Sequence, residues 1–226
     1  MSKKVDYSLD NVVKKKLNKK SLTAIILCAV IIFGIVAYDF FNGRSSCEKT
    51  TVAMGTVVTL KLFGFEADND LDKIETEING LENSVLSWRK EGSDVYRING
   101  GAGSPVSVSP DTVKIIGQCS EISADCNGVF DLSIGNVTKL WDFGGENQRL
   151  PSENEIKAAL GSVGYKNVSI SGNAVRINKG QSLDLGAVGK GFTCDKIKEL
   201  LDKGKTKSAV ISVGGSLLIY GGRSFS

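Results

Sequence analysis

Between Leu22 and Tyr38 the chain reads LTAIILCAVIIFGIVAY, seventeen positions without a charged side chain. A helix that is apolar on every face has no polar side to turn to water, so such a run points to lipid rather than to the surface of a globular domain. Its length lies at the lower limit for crossing a bilayer. Lys14, Lys15, Lys16, Lys19 and Lys20 come just before it, the arrangement that keeps positive charge on the cytoplasmic side. The reading is a cytoplasmic basic tail over 1–21, a transmembrane signal anchor over 22–38, a linker over 39–49 and a domain outside the cytoplasm over 50–226. Cleavage of the run is the competing reading, but Tyr38, Asp39, Phe40 and Phe41 stand where a small-x-small site would be. Cys47 lacks the preceding apolar residue of a lipoprotein signal, since Gly43, Arg44, Ser45 and Ser46 lead up to it.

The formal charge is +3, and residues 1–20 hold +5 of it in seven lysines and two aspartates, which leaves −2 for the rest. The folded part therefore lacks the clustered basic face, interleaved with aromatics, that nucleic-acid binding needs. Five cysteines leave the redox state open. Cys119 and Cys126, seven residues apart on one helix, would stand about 10 Å from each other, too far for a disulfide. They read instead as lining a core face.

Two hydrophobic periods alternate along the domain. Val58, Leu60 and Leu62 alternate with Thr59 and Lys61, a strand over Val57 to Phe63. Leu71, Ile74, Ile78, Leu81 and Val85 recur every three or four residues, a helix over Asn69 to Leu86. A second helix follows Pro110 with Val113, Ile116, Cys119, Ile122 and Cys126 inward, and a third starts at Ser152, where Glu155 completes a capping box. Two short alternating runs flank Ser171-Gly172-Asn173 as a hairpin, and Ala209 to Val213 with Ser216 to Tyr220 form another around Gly214-Gly215. Hairpins mixed with helices predict an α+β layer fold, mixed sheets with packed helices, rather than a doubly wound parallel sheet.

The segment Ser182 to Asp195, SLDLGAVGKGFTCD, reads as a glycine-rich turn from Asp184 to Gly191 entering a helix with Ile197, Leu200 and Leu201 inward. Gly186, Gly189 and Gly191 would let backbone approach a ligand, and a helix N-terminus presents free amides to an anion. Gly191 rather than Ser or Thr follows Lys190, so the turn is not a Walker A loop, and Cys194 breaks the dinucleotide fingerprint. A plain strand-to-helix connection is the alternative.

The turn does not stand alone. AMGTVVTL from Ala53, LSWRKEGSDVYRING from Leu86, NGVFDLSIGNVTKLWDFG from Asn127, LDLGAVGKGF and VISVGGSLLIYG follow one another across residues 53–221. In that order they resemble the motifs of the ApbE family, the bacterial FAD:protein FMN transferases. The resemblance implies that 50–226 is an ApbE-like FAD-binding domain in which Met54 contacts FAD and Trp88 stacks in the flavin site, where the family usually has a tyrosine. It also implies FAD contacts at Val129, Phe130, Asp131, Asp184 and Lys190, and a main-chain carbonyl ligand to Mg²⁺ at Ala187. The implied reaction moves FMN from FAD to a threonine hydroxyl of an acceptor protein and releases AMP, with flavinylated subunits of membrane redox complexes as acceptors.

Family members continue for roughly half as much again, through a Thr-Ser-Gly segment and a stretch with His and Asp that supplies further Mg²⁺ ligands. This sequence contains no histidine. With one carbonyl against the roughly six oxygens magnesium prefers, the domain reads as incomplete at the C-terminus, the N-terminal two-thirds of the fold. The expectation is a chain inactive by itself or weakly flavin-binding. The alternative is a non-catalytic extracytoplasmic FAD-binding protein.

Overall fold

The structure, a computed structural model, describes residues 19–42, 46–64 and 66–222. It divides into two units, residues 1–44 and 45–226. The first contains α1 (Lys19–Asn42); most of the basic tail expected over 1–21 lies outside the described residues. The uncharged run falls within α1, but among the described residues no helix is long and apolar enough to cross a membrane. At 1.5 Å per residue, seventeen residues reach about 25 Å against a hydrocarbon core of about 30 Å. The anchor expected over 22–38 is thus not supported by the structure.

The second unit opens with β1 (Ser46–Ala53), so the linker expected over 39–49 is helix at one end and strand at the other, with residues 43–45 outside the described set. Strand β1 pairs antiparallel with β2 (Thr56–Phe63), Ala53 opposite Thr56. The intervening Met54 and Gly55 both have positive φ, 54° and 68°, as a two-residue hairpin matched to the strand twist requires. Strands β6 (Ser208–Val213) and β7 (Ser216–Tyr220) complete an antiparallel sheet in the order β1-β2-β6-β7. The expected Gly214-Gly215 turn joins them, with Val213 opposite Ser216.

Val58, Leu60 and Leu62 are fully buried, as their alternation predicts, and meet Leu71, Ile74 and Ile78 of α2 (Ala67–Leu81) and Ile197 and Leu201 of α7 (Gly186–Leu201) in one core. Helix α2 then widens into a π turn over Glu82–Leu86. That turn carries Val85 and Leu86 into a second core, with α3 (Asp94–Gly100), α4 (Pro110–Asp125) and a small antiparallel sheet. The small sheet has the order β3-β5-β4, from β3 (Val106–Ser107), β4 (Ser169–Ser171) and β5 (Ala174–Arg176). Met54 packs against both cores. Between α4 and β4 lie two short α-helices, α5 (Gly135–Thr138) and α6 (Glu153–Leu160), and a 3₁₀ turn over Tyr165–Asn167; α6 begins in the predicted capping box of Ser152 and Glu155.

The structure corrects two local expectations and supports a third. Helix α4 buries Thr112, Ile115, Ile116, Cys119 and Ser123, whereas Ile122 is exposed and Cys126 half-buried. The reason is polar: Thr112 Oγ1 donates 2.6 Å to Asp94 Oδ2 and Ser123 Oγ donates 2.8 Å to the Cys119 carbonyl, so hydroxyls occupy a face that a hydrophobic count leaves to water. The glycine-rich turn is the opening of α7, and Gly186, Gly189 and Gly191 all lie within the helix. Cysteines 28, 47, 119, 126 and 194 are free thiols, as the spacing argument requires for the pair 119 and 126.

Candidate functional site

The segment 182–184 is fixed from two sides. Asn99, in α3, accepts the Leu183 amide at 2.7 Å and donates to the Leu183 carbonyl at 3.0 Å. On the other side Ile134 bridges to Ser182 as in a parallel sheet, and the Gly135 amide donates 2.9 Å to the Ser182 carbonyl. A Cβ on Gly135 would stand 2.7 Å from that carbonyl and 2.8 Å from the Leu183 carbonyl, so only glycine permits this approach. The Asn of YRING and the Gly of SIGN therefore hold the start of α7 in place.

Asp184 ends this segment half-buried. Its Oδ1 accepts the Gly186 amide at 2.7 Å and its Oδ2 the Thr138 hydroxyl at 2.6 Å. The carboxylate thus satisfies one of the orphan amides at the N-terminus of α7, where negative charge is favoured. Lys139 stands next to Thr138. Its Nζ donates 2.8 Å to Ser182 Oγ and lies 5.3 Å from the centre of the Trp88 ring. Burial pushes the Lys139 ammonium below the usual lysine range, and the charge of Asp184 opposes that shift. Arg89 lays its guanidinium 3.9 Å from the same Trp88 ring and is held by Asp142 Oδ1 at 2.7 Å and the Phe143 carbonyl at 3.1 Å.

Met54 approaches α7 from the sheet. Its methyl lies 3.7 Å from where a Gly189 Cβ would be, and its sulfur accepts the Thr193 hydroxyl at 3.4 Å. The Met54 amide donates 2.8 Å to Glu82 Oε2, which helps to hold a left-handed conformation uncommon in a residue with a Cβ. Backbone strain of this kind gathers at functional sites. Gly189 is helical and faces Met54 and Leu86, where a Cβ would make ordinary contacts at 3.5–3.8 Å.

Met54, Trp88, Asp184 and Lys190 therefore belong to segments gathered around the first turns of α7. Lys190 is half-buried and pairs with no other described residue. The triplet 129–131 divides. Val129 is 91% exposed, Phe130 packs against the second core, and Asp131 ties its own loop to the segment at Tyr165. Its Oδ1 accepts the Ser133 amide at 2.8 Å and hydroxyl at 2.6 Å, and its Oδ2 accepts the Tyr165 amide at 2.8 Å. Ala187 is exposed in the first turn of α7, where its carbonyl faces the amide of Gly191 along the helix. Among the described residues no three His, Cys, Asp or Glu side chains are grouped to hold a metal.

Ala187 lies instead on a groove of about 510 Å³ between α4 and α7, with Ile115, Cys119, Gly191 and Phe192 and with Ser216 from β7. None of the other expected site residues lines it. Sequence reasoning missed Lys139, Thr138, Arg89 and Asn99, although all four lie within or beside the quoted motifs; a lone charge in the otherwise uncharged VTKLW was the available signal.

Fold and site together define an α+β protein in which an aromatic ring, a carboxylate and cations meet at a helix N-terminus, a combination suited to a ligand with both a planar ring and phosphates. The chain belongs to the ApbE family, whose profile matches residues 54–225. It is 24% identical over 211 residues to the FAD:protein FMN transferase of Haemophilus influenzae, covering 84% of this chain and 61% of that protein. To the enzyme of the same name from Escherichia coli K12 it is 27% identical over 214 residues, covering 87% and 60%. Among solved structures it is similar to the flavinyl transferase ApbE of Pseudomonas stutzeri in its apo form, with a TM-score of 0.70, 26% identity and coverage of 81% and 61%. The ApbE protein of Thermotoga maritima gives a TM-score of 0.71, 27% identity and coverage of 77% and 59%. The chain spans about three fifths of the length of these relatives.

Proposed function

We propose that this chain is a flavin transferase module that binds FAD at the N-terminal end of α7 and passes its FMN portion to an acceptor protein. The carrying observation is that Met54, Trp88 and Asp184, far apart in sequence, meet around one helix end in a chain of the ApbE family. In the reaction envisaged, a threonine oxygen of the acceptor attacks the FMN-side phosphorus, the bond to the AMP oxygen breaks, AMP leaves and the hydroxyl proton is released. Phosphoryl transfer of this kind relies on positioning and charge neutralisation. Trp88 offers a stacking face, and Lys190 offers positive charge.

Magnesium is the ion expected for such a reaction, and it would neutralise pyrophosphate charge when bound. The described residues do not assemble a fit for it: Ala187 offers a helical carbonyl on the α4–α7 groove, where Glu121 and Asp195 are the carboxylates present, and no three metal-binding side chains are grouped among the described residues. The second reading is FAD binding without turnover. The two separate on incubation of the purified chain with FAD, Mg²⁺ and a threonine-bearing acceptor domain. A fluorescent acceptor with stoichiometric AMP supports transfer, bound FAD without AMP supports the binding protein, and no FAD binding removes both. A site of action outside the cytoplasm is part of the proposal. Its support is the lysine-preceded uncharged run 22–38, and protease added to intact cells would have to leave the domain uncut for this part to fail.

A further inference from the structure

The family resemblance gives Lys139 no role, yet the fold places it beside the aromatic ring of the site. Its Nζ is 5.3 Å from the centre of the Trp88 ring and 2.8 Å from Ser182 Oγ. An ammonium carries three N–H donors, and among the described residues Ser182 Oγ is its one hydrogen-bond acceptor. Asp184 supplies charge but its oxygens are engaged, Oδ1 by the Gly186 amide and Oδ2 by the Thr138 hydroxyl. A half-buried ammonium with two donors to spare is costly to maintain, and acceptors brought by a ligand would offset the cost.

We propose that Lys139 is a binding residue for the flavin ring itself, its ammonium donating to a carbonyl oxygen on the pyrimidine edge of an isoalloxazine stacked on Trp88. The inference rests on the flavin reading above. A phosphate oxygen offers similar acceptor chemistry, but the position of Nζ favours the ring. Stacked planes lie about 3.5–4 Å apart, so a cation 5.3 Å from the Trp88 centre reaches the rim of a second ring layered there. The Arg89 guanidinium lies 3.9 Å over the Trp88 ring, so a stacked flavin takes the face that Arg89 leaves open.

The test compares FAD binding by the purified full chain with that of Lys139→Met, Lys139→Gln and Lys139→Arg, by fluorescence titration and by the visible absorption of the bound flavin. Circular dichroism and melting curves establish which variants fold, and the glutamine variant keeps the test open if the methionine variant does not. Loss of a charged hydrogen bond should raise the Kd for FAD about tenfold or more in the Met and Gln variants, with the arginine variant closer to wild type. Because a charge at the ring edge tunes flavin electronics, the absorption bands of the FAD still bound should also shift relative to wild type. A folded Met or Gln variant with wild-type affinity overturns the inference. So does weaker binding with an unshifted flavin spectrum, which would place the lysine on the phosphates. If the wild-type chain binds no FAD, the functional reading falls and this inference with it; wild-type binding with unaltered variants removes the inference alone.

Discussion

Asp94 shows how much one buried carboxylate can organise. Its Oδ2 accepts the Thr112 hydroxyl at 2.6 Å and the Ser109 amide at 2.8 Å, and Arg97 pairs with its other oxygen. Burial alone would raise its pKa, but these donors hold it below the usual carboxylate range. Asp70 is held down in the same way, against its own burial, by Thr206 and Lys205. Removing the acceptor leaves buried donors unsatisfied, so Asp94→Ala should cost about 3 kcal/mol in urea unfolding. A folded pKa below the unfolded value of about 3.9 means that both groups contribute their full stability above that value and lose it as pH falls through the lower folded pKa. Urea midpoints should therefore stay level for this pair of groups from pH 7 to about 5 and fall below about pH 4, and the fall should be shallower in Asp94→Ala.

At the level of elements, the glycines of the site divide into two kinds. Gly135 sits where two carbonyls from the segment leading into α7 leave no room for a Cβ, the nearer at 2.7 Å, so its absent side chain lets the 131–135 loop lie beside 182–184. Gly191 is helical and exposed, and a Cβ added there would meet nothing within 4 Å. Gly135→Ala should thus destabilise by about 1–3 kcal/mol through forced backbone shifts. Gly191→Ala should stabilise by about 0.5–1 kcal/mol because alanine restricts the unfolded chain and favours helix. Thermal melts of the two single variants check this, and equal effects would contradict the division.

Over the whole second unit, two apolar cores share Met54 and are joined by α7, whose Phe192 faces one and Ile197 and Leu201 the other. No disulfide braces them: all five thiols are free, with Cys119 and Cys194 buried. Burial raises the Cys119 pKa to about 11 and keeps that thiol inert. Thiol titration of the native chain should leave Cys119 and Cys194 unlabelled until denaturant is added, and reductant should not move the melting temperature. Rapid native labelling of Cys119 would mean that the α4 core opens.

What the sequence determined by itself was written at short range. The β2 alternation, the α2 stripe, the Ser152 capping box and the Gly214-Gly215 turn each depend on residues within one or two turns of chain, where period, caps and glycine torsions act directly. The ordered motifs also named Met54, Trp88, Asp184 and Lys190, whose segments gather around one helix end. Tertiary structure decided the rest. Thr112 turned the buried face of α4 because Asp94, 18 residues earlier, needed a donor. The glycine-rich segment became helix rather than turn, its opening stabilised by Asp184, which is itself oriented by Thr138 46 residues before it. Asp131 became a loop brace through Tyr165, and Lys139 came to rest at Trp88. Such pairings satisfy buried polar groups across long separations, and a hydrophobic pattern carries no record of which distant donor or acceptor will complete them.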